Sequence, residues 1–346
     1  MERPLSYFLI FPGKFMCRNL LILLTAFVFS APLSSALASG RVHIESAGLD
    51  LGIGYRSDDL DWSISNGSDG DEPNILSELT WDHLKILQLQ GGGWLKLSGL
   101  PFIDRNALVI TNISLGKIFH GDVQDSDYAK DGRAYEWSRS ENKADHGMTA
   151  DLSVAFGPIF ELNNNSGISL TPLVGYAFNM QALTMSDGKQ VISNNRIRRE
   201  YFPTDGAPPP VGNINGLDST YTAYWYGPWI GLNADYQRGE NFVVTAGVEY
   251  HWADYFAQAD WDLRSDFEHP VSFEHDANGN GVVWNIKGKY LLDERWSLLI
   301  KGNIQHWKTD DGTDRTFFSD GTVGKTRLNP VNWNSYAVTT GVQYSF

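Results

Sequence analysis

The chain has 346 residues, with 41 acidic against 27 basic side chains, 34 glycines, 12 tryptophans, 15 tyrosines and 18 phenylalanines. Aromatic residues and glycine at this level favour strands and tight turns, which excludes a helical bundle. A formal net charge of −14, with no Lys/Arg-rich run to offset it locally, repels phosphates and excludes nucleic acid as a partner.

Residues 1–38 read as a signal peptide. Lys14 and Arg18 precede an apolar run from Leu20 to Ser30, and Ala36-Leu37-Ala38 supplies a small-residue cleavage site. The run is shorter than the ~20 residues that a spanning helix needs, so export is the reading. Met16 is an alternative start, because residues 16–38 already form a complete signal. Cleavage removes the single cysteine, Cys17, so the domain expected over 39–346 has no disulfide framework. Cys17 also precedes the apolar run, which excludes lipoprotein acylation.

Beyond residue 38 no stretch of 18 apolar residues remains, and the hydrophobic period is two. In 168–178, Ile168, Leu170, Val174, Tyr176 and Phe178 share one face. The same alternation places Tyr226, Ile230, Leu232 and Tyr236 opposite Gly231, Asn233 and Asp235, and Phe242, Val244, Val248, Tyr250 and Trp252 opposite Thr245, Glu249 and His251. In 296–307, Trp296, Leu298, Ile300 and Ile304 oppose Lys301, Asn303 and Gln305. The predicted strands are 47–57, 78–97, 107–121, 147–162, 168–183, 221–238, 242–260, 281–292, 296–308 and 332–346. Their connections alternate between short (98–106, 163–167, 239–241, 293–295) and long (58–77, 122–146, 184–220, 261–280, 309–331). An even strand number, strands long enough to cross a bilayer and this asymmetry of connections predict an all-β fold. It is a ten-stranded antiparallel transmembrane β-barrel with short periplasmic turns and long extracellular loops.

The last strand places Tyr336, Val338, Thr340, Val342, Tyr344 and Phe346 on one face and ends on an aromatic residue, the form of an assembly signal for the bacterial outer membrane. Partners expected on this basis are outer-membrane lipid and, through Phe346, the barrel-assembly machinery. Trp81, Trp94, Tyr226, Tyr250, Trp284, Tyr290 and Trp296 lie near strand ends and suit two interfacial girdles. Asp151, Asp235, Glu249 and His251 share lumen-facing parity with Lys287, Lys289 and Lys301, joined by Asn233, Asn285, Asn303 and Gln305. Ten strands enclose a lumen only slightly wider than side chains can fill, so cross-lumen ion pairs are expected in place of an open channel.

Four segments carry a resemblance. Ser77-Glu78-Leu79-Thr80-Trp81 resembles the omptin segment S-Q-L-D-W, and Val123-Gln124-Asp125-Ser126-Asp127-Tyr128 resembles the omptin D-x-D that is followed by an aromatic residue. Gly227-Pro228-Trp229-Ile230-Gly231-Leu232 is similar to M-P-Y-I-G-L, and Thr340-Gly341-Val342-Gln343-Tyr344-Ser345-Phe346 to the terminal A-G-L-K-Y-T-F. In this order and spacing the chain resembles the omptins, outer-membrane endopeptidases of ten strands, from about residue 47 to its end. Asp59-Leu60-Asp61-Trp62 and the run Pro73 to Trp81 also look like the Protochlamydia outer membrane protein family, for which a barrel or porin role is usually supposed.

The omptin resemblance implies a pair of aspartates facing an Asp-His pair across the barrel mouth, with a water between them attacking the peptide carbonyl. Asp125 and Asp127 match the first half, and alternate strand residues point the same way, so like charges would raise one pKa. For the second half two alignments stay open. Without a gap, the family's D-E-H falls on Asp260-Trp261-Asp262, which puts the carboxylate of Asp262 where the histidine belongs. With a gap it reaches Asp266-Phe267-Glu268-His269, which supplies His269. The family's lipopolysaccharide pattern Y-x-E-x-R reads Tyr176, Phe178 and Met180, without the acid and the base.

Asp276-Ala277-Asn278-Gly279-Asn280-Gly281 fits the first half of a calcium loop, but Lys287 stands where a bidentate Glu should, and a tight Asn/Gly turn is the expectation. No phosphate-binding Gly loop, Cys/His zinc site or serine elbow is present in the sequence, and neither cofactor nor metal is expected. Three functions stay open. They are a non-peptidase envelope component or narrow pore, an omptin-type endopeptidase using Asp125, Asp127 and a rearranged Asp/His pair, and an adhesin or ligand-binding barrel taking a peptide or surface ligand at its extracellular loops.

Overall fold

A computed structural model of the chain describes residues 42–346 apart from 71, 102, 163–166 and 205. The expected signal peptide lies outside the described residues. Among the described residues the strands are β1 (His43–Ile64), β2 (Ser77–Ser98), β3 (Ala107–Lys130), β4 (Ala134–Lys143), β5 (Gly147–Pro158), β6 (Phe160–Glu161), β7 (Ile168–Ser193), β8 (Gly212–Arg238), β9 (Phe242–Asp260), β10 (Phe273–Leu291), β11 (Trp296–Thr309), β12 (Gly312–Phe317), β13 (Val323–Leu328) and β14 (Asn332–Ser345), with a short helix, α1 (Asn195–Tyr201).

Antiparallel pairing runs β1-β2-β3-β5-β7-β8-β9-β10-β11-β14 and returns from β14 to β1, so the sheet closes on itself and these strands have no free edge along the shared register. The circuit contains the ten segments expected from the alternation. At the end bearing the short connections the boundaries agree to within four residues, β9 agrees at both ends, and several strands run much farther at the end bearing the long connections. The 122–146 connection is largely strand, with β3 extended to Lys130 and paired with β4, and the 309–331 connection folds as the β12–β13 hairpin on β10. These extensions were hidden in the sequence for a physical reason: above the membrane the outer face meets water and turns polar, so the outward apolar half of the alternation is lost.

The segment 276–281 is neither a turn nor a calcium loop. It is the interior of β10, paired with β9 from Asp276↔Phe256 to Gly281↔His251. Its glycines serve close packing: a Cβ on Gly279 would strike the backbone of Lys308 and Thr309, and one on Gly281 the Trp307 ring.

Along the middle of the circuit the outward residues are large, apolar and uncovered: Ile53 is 53% exposed, Ile300 60% and Val338 60%, with Leu89, Ile113, Leu152, Val174, Ile230 and Ile286 on the same belt. A continuous belt of this kind is stable only in a lipid solvent. Tyr250, Trp252, Trp284, Tyr290 and Trp296 lie on the outside, as girdle residues should. Trp81 and Trp94 do not. Trp81 is fully buried in the interior, and the Trp94 indole lies over the buried Gly48, because the register shift between Asp82 and Lys85 reverses the parity of β2 and turns both inward. We expect the refolded protein in detergent to be heat-modifiable on gels and to give a strand-type circular dichroism spectrum; a mainly helical spectrum would contradict the architecture.

The interior is filled at two levels. Toward the mouth lies one apolar core built from Leu60, Trp62, Trp81, Tyr221, Trp225, Tyr255, Trp307 and Trp333 with their neighbours. Trp307 and Trp333 stack at 5.4 Å, and Trp225 lies 4.5 Å from Tyr255 between ring centres. Below it the lining is polar, as expected from the parity of Glu249, Asn285, Asn303 and Gln305. Asn285 donates to Glu249 (2.8 Å), Asn303 to Asn285 (2.6 Å), Gln305 to Asn303 (2.7 Å) and Trp307 to Gln305 (3.0 Å), while Lys301 pairs with Asp50.

Candidate functional site at the barrel mouth

Asp125 and Asp127 stand on the extension of β3, where Leu79 and Ser140 flank Asp125, and Ser77 and Ser138 flank Asp127. Leu79 and Ser138 are buried, so this parity faces the interior. Burial, reinforced by the neighbouring Asp127 charge, holds the Asp125 carboxyl well above the usual carboxylate range, with Arg264 pulling the other way. Burial also pushes Asp127 up to about 6, against the hydroxyls of Ser77 and Ser138 and the charges of Arg198 and Arg264. The two aspartates therefore titrate as a pair that keeps a proton into the neutral range.

Arg264 comes from the loop 261–272 that joins β9 to β10. In the closed circuit β10 lies five steps from β3, directly across the mouth. Its guanidinium grips Asp266 through two hydrogen bonds (2.9 and 2.8 Å) and lies 4.1 Å from the Phe267 ring centre. The loop is fixed at its far side by Phe267 against Phe318 and by the bond from the Glu268 N–H to the Phe317 carbonyl. This strap brings the Arg264 charge to bear on the acid pair.

The other sequence-selected residues divide. His269 Nδ1 lies 2.5 Å from Asp260 Oδ1, and this hydrogen bond raises the imidazole pKa. Asp262 instead accepts from Ser219 Oγ (2.7 Å) and from the Asp218 N–H (3.2 Å), so its carboxylate ties the strap to β8. The structure thus unites Asp125 with Asp127, and Asp260 with His269. Among the described residues no hydrogen bond or ion pair joins these two pairs, and the charges acting on the acid pair from outside it are those of Arg264 and Arg198.

Sequence reasoning passed over Arg264, because an arginine between two aspartates in a loop carries no pattern. It also passed over a second constellation, buried beneath the mouth. Asp314 Oδ1 lies 3.3 Å from His275 Nε2, His275 Nδ1 lies 2.9 Å from the Tyr221 hydroxyl, and Tyr221 bonds Tyr255. Asp314 Oδ2 accepts from Thr326 (2.9 Å) and Thr316 (3.2 Å). Burial pushes both phenols up, so they remain neutral donors. All four side chains are inaccessible, so the array can fasten β12–β13 to the barrel but offers nothing to a substrate.

The family described as Protochlamydia outer membrane protein matches residues 50–346. Among solved structures the chain is similar to the outer membrane protease OmpT of Escherichia coli, with a TM-score of 0.68 and 14% identity, over 88% of this chain and 98% of that one. Weaker similarity is found to the outer membrane protein OprG of Pseudomonas aeruginosa (TM-score 0.32, 12% identity, 87% and 95% covered) and to the translocator domain of the autotransporter NalP of Neisseria meningitidis (0.31, 10%, 94% and 97%). No curated protein sequence matches. At these identities the likeness to OmpT is one of fold.

Proposed function

This chain belongs to the Protochlamydia outer membrane protein family, and from that premise we propose that it is a sealed, non-peptidase barrel of the outer membrane, an envelope component that displays a structured extracellular head. The observation that carries this reading is the Arg56 plug. The guanidinium of Arg56, 2% exposed, donates from Nε and Nη2 to Asp58 (2.7 and 2.6 Å) on its own strand and from Nη1 to Asp151 (2.7 Å) on β5. Trp333 lies 5.4 Å away and donates to Asp58, as does Gln181 on β7. Side chains from β1, β5, β7 and β14 therefore meet at one level of the lumen, directly under the aromatic core. A solute would have to break this network and displace the indoles above it.

Planar-bilayer recording tests the reading: the purified protein is expected to give no stepwise conductance, and reproducible unitary steps from the unaltered chain would replace it with a pore. The head is the part left to meet partners, peptide or surface ligand, while Phe346, exposed at the end bearing the short connections, is the contact offered to the assembly machinery. The 2.5 Å contact between Asp260 and His269 favours a second reading, an omptin-type endopeptidase assembled from Asp125, Asp127, Asp260 and His269. Against it stands Arg264, whose fixed positive charge faces the acid pair from the side where a neutral base would have to stand.

A further inference from the structure

The chain contains four Asn-Gly sequences, at residues 66–67, 215–216, 278–279 and 280–281. Glycine after asparagine leaves the backbone nitrogen unshielded, so an asparagine carboxamide that is free to turn can be attacked by it. Three of the four are held. Asn66 donates its side-chain amide to the Glu72 carbonyl (3.0 Å). Gly279 and Gly281 lie inside β10, paired on one side with Ala253 and His251 and on the other with Thr309 and Trp307, so their backbone is fixed in two ladders.

The fourth lacks both kinds of restraint. Ser186 pairs with Asp218 and Gly188 with Ile214, so Asn215, Gly216 and Leu217 bulge from β8 opposite the single residue Asp187. On the other edge β9 ends at Asp260, opposite Thr220, so no strand covers the bulge. Gly216 has a φ of +79° and open space where a Cβ would stand. Asn215 is exposed, and its carboxamide has no partner among the described residues.

We propose that Asn215 is a site of spontaneous modification on the extracellular head, converted through a cyclic imide into aspartate and isoaspartate with water as the co-reactant. The Gly216 backbone nitrogen bonds to Cγ of Asn215 and the Cγ–Nδ2 bond breaks, so that ammonia leaves with the amide proton. Water then adds to either imide carbonyl and opens one of the two C–N bonds, leaving a carboxylate and releasing its proton. The product places a new negative charge three residues from the Asp218 N–H and four from the Ser219 hydroxyl, the two groups that hold Asp262 and hence the strap. Opening toward isoaspartate also lengthens the backbone by one methylene, which a three-residue bulge absorbs without disturbing a ladder.

The test is peptide mapping by mass spectrometry, with isoaspartate detection, of the full-length folded protein in detergent held at mildly alkaline pH. Asn215 should convert faster than Asn66, Asn278 and Asn280 by on the order of tenfold, equal to about 1.4 kcal/mol of barrier. After unfolding in denaturant the four rates should converge, since only the fold separates them. Asn215→Gln should remove the isoaspartate signal from the folded protein. Protection of Asn215 equal to that of Asn278, or equal rates at all four sites in the folded state, would overturn the assignment.

Discussion

Replacing Arg56 with alanine is expected to destabilise the barrel by about 3–5 kcal/mol, because it strands Asp58 and Asp151 as uncompensated buried charges. The expectation rests on partition among the members of the plug. Asp58 accepts from Arg56, Gln181 and Trp333, but Asp151 has Arg56 as its ion-pair partner, and its second carboxylate oxygen is already unsatisfied in the interior. Losing the guanidinium leaves that group no alternative. Arg56→Lys should recover only part of the loss, since an ammonium cannot span both carboxylates in the planar fork that an arginine provides. The combined change Arg56→Met, Asp58→Leu and Asp151→Leu should come close to the starting stability, because the cost lies in unpaired charge and not in the absence of an ion pair. The readout is the temperature at which the compact gel form is lost, or the denaturant midpoint in detergent. An alanine variant as stable as the parent would remove the plug as an element of the sealed reading.

The membrane-embedded part of this fold was legible because lipid enforces one rule on it: every outward side chain from Leu49 to Tyr55, or from Leu298 to Ile304, must be apolar or small, so alternation survives in the sequence. The inward place of Arg56 follows from the same period of two, but its importance does not. Nothing in a single strand reveals that its partners are Asp58 two residues on and Asp151 three strands away around the circuit. The extracellular head lacks the lipid rule, and there β4, β12 and β13 were read as loop. The candidate site shows the same division. The D-x-D spacing of Asp125 and Asp127 suffices to set two carboxylates side by side, because a strand has period two. The pairing of Asp260 with His269 joins residues nine apart in the chain, and the different commitment of Asp262 depends on the hydroxyl of Ser219, so neither followed from spacing.

At neutral pH no cleavage of peptides at basic residues is expected from the unaltered protein, and the stability of its mouth should fall as pH rises through about 6. Both follow from the acid pair. The Asp127 pKa in the folded state is pushed up to about 6, above the ordinary ~3.9 of the unfolded chain, and burial with the Asp127 charge also holds Asp125 well above the carboxylate range. A carboxyl raised on folding contributes stability that is complete below the unfolded pKa and is lost as pH climbs through the folded one. Asp127→Asn keeps the volume and removes the titration, so it should stabilise the protein at pH 8 by on the order of 1–3 kcal/mol and change little at pH 4. Arg264→Gln acts oppositely. It removes a charge that lowers both pKa values, so the loss on raising the pH, which starts from the same unfolded pKa, should extend to higher pH and grow larger. The catalytic alternative demands a different set of outcomes. Asp125→Ala and His269→Ala would each abolish a cleavage that the parent performs, and Asp262→Ala would spare it, because the Asp262 carboxylate serves Ser219 and the Asp218 N–H. Cleavage with that pattern would mean that Arg264 leaves the mouth when peptide enters, and that the imidazole held by Asp260 takes the place the omptin mechanism gives it.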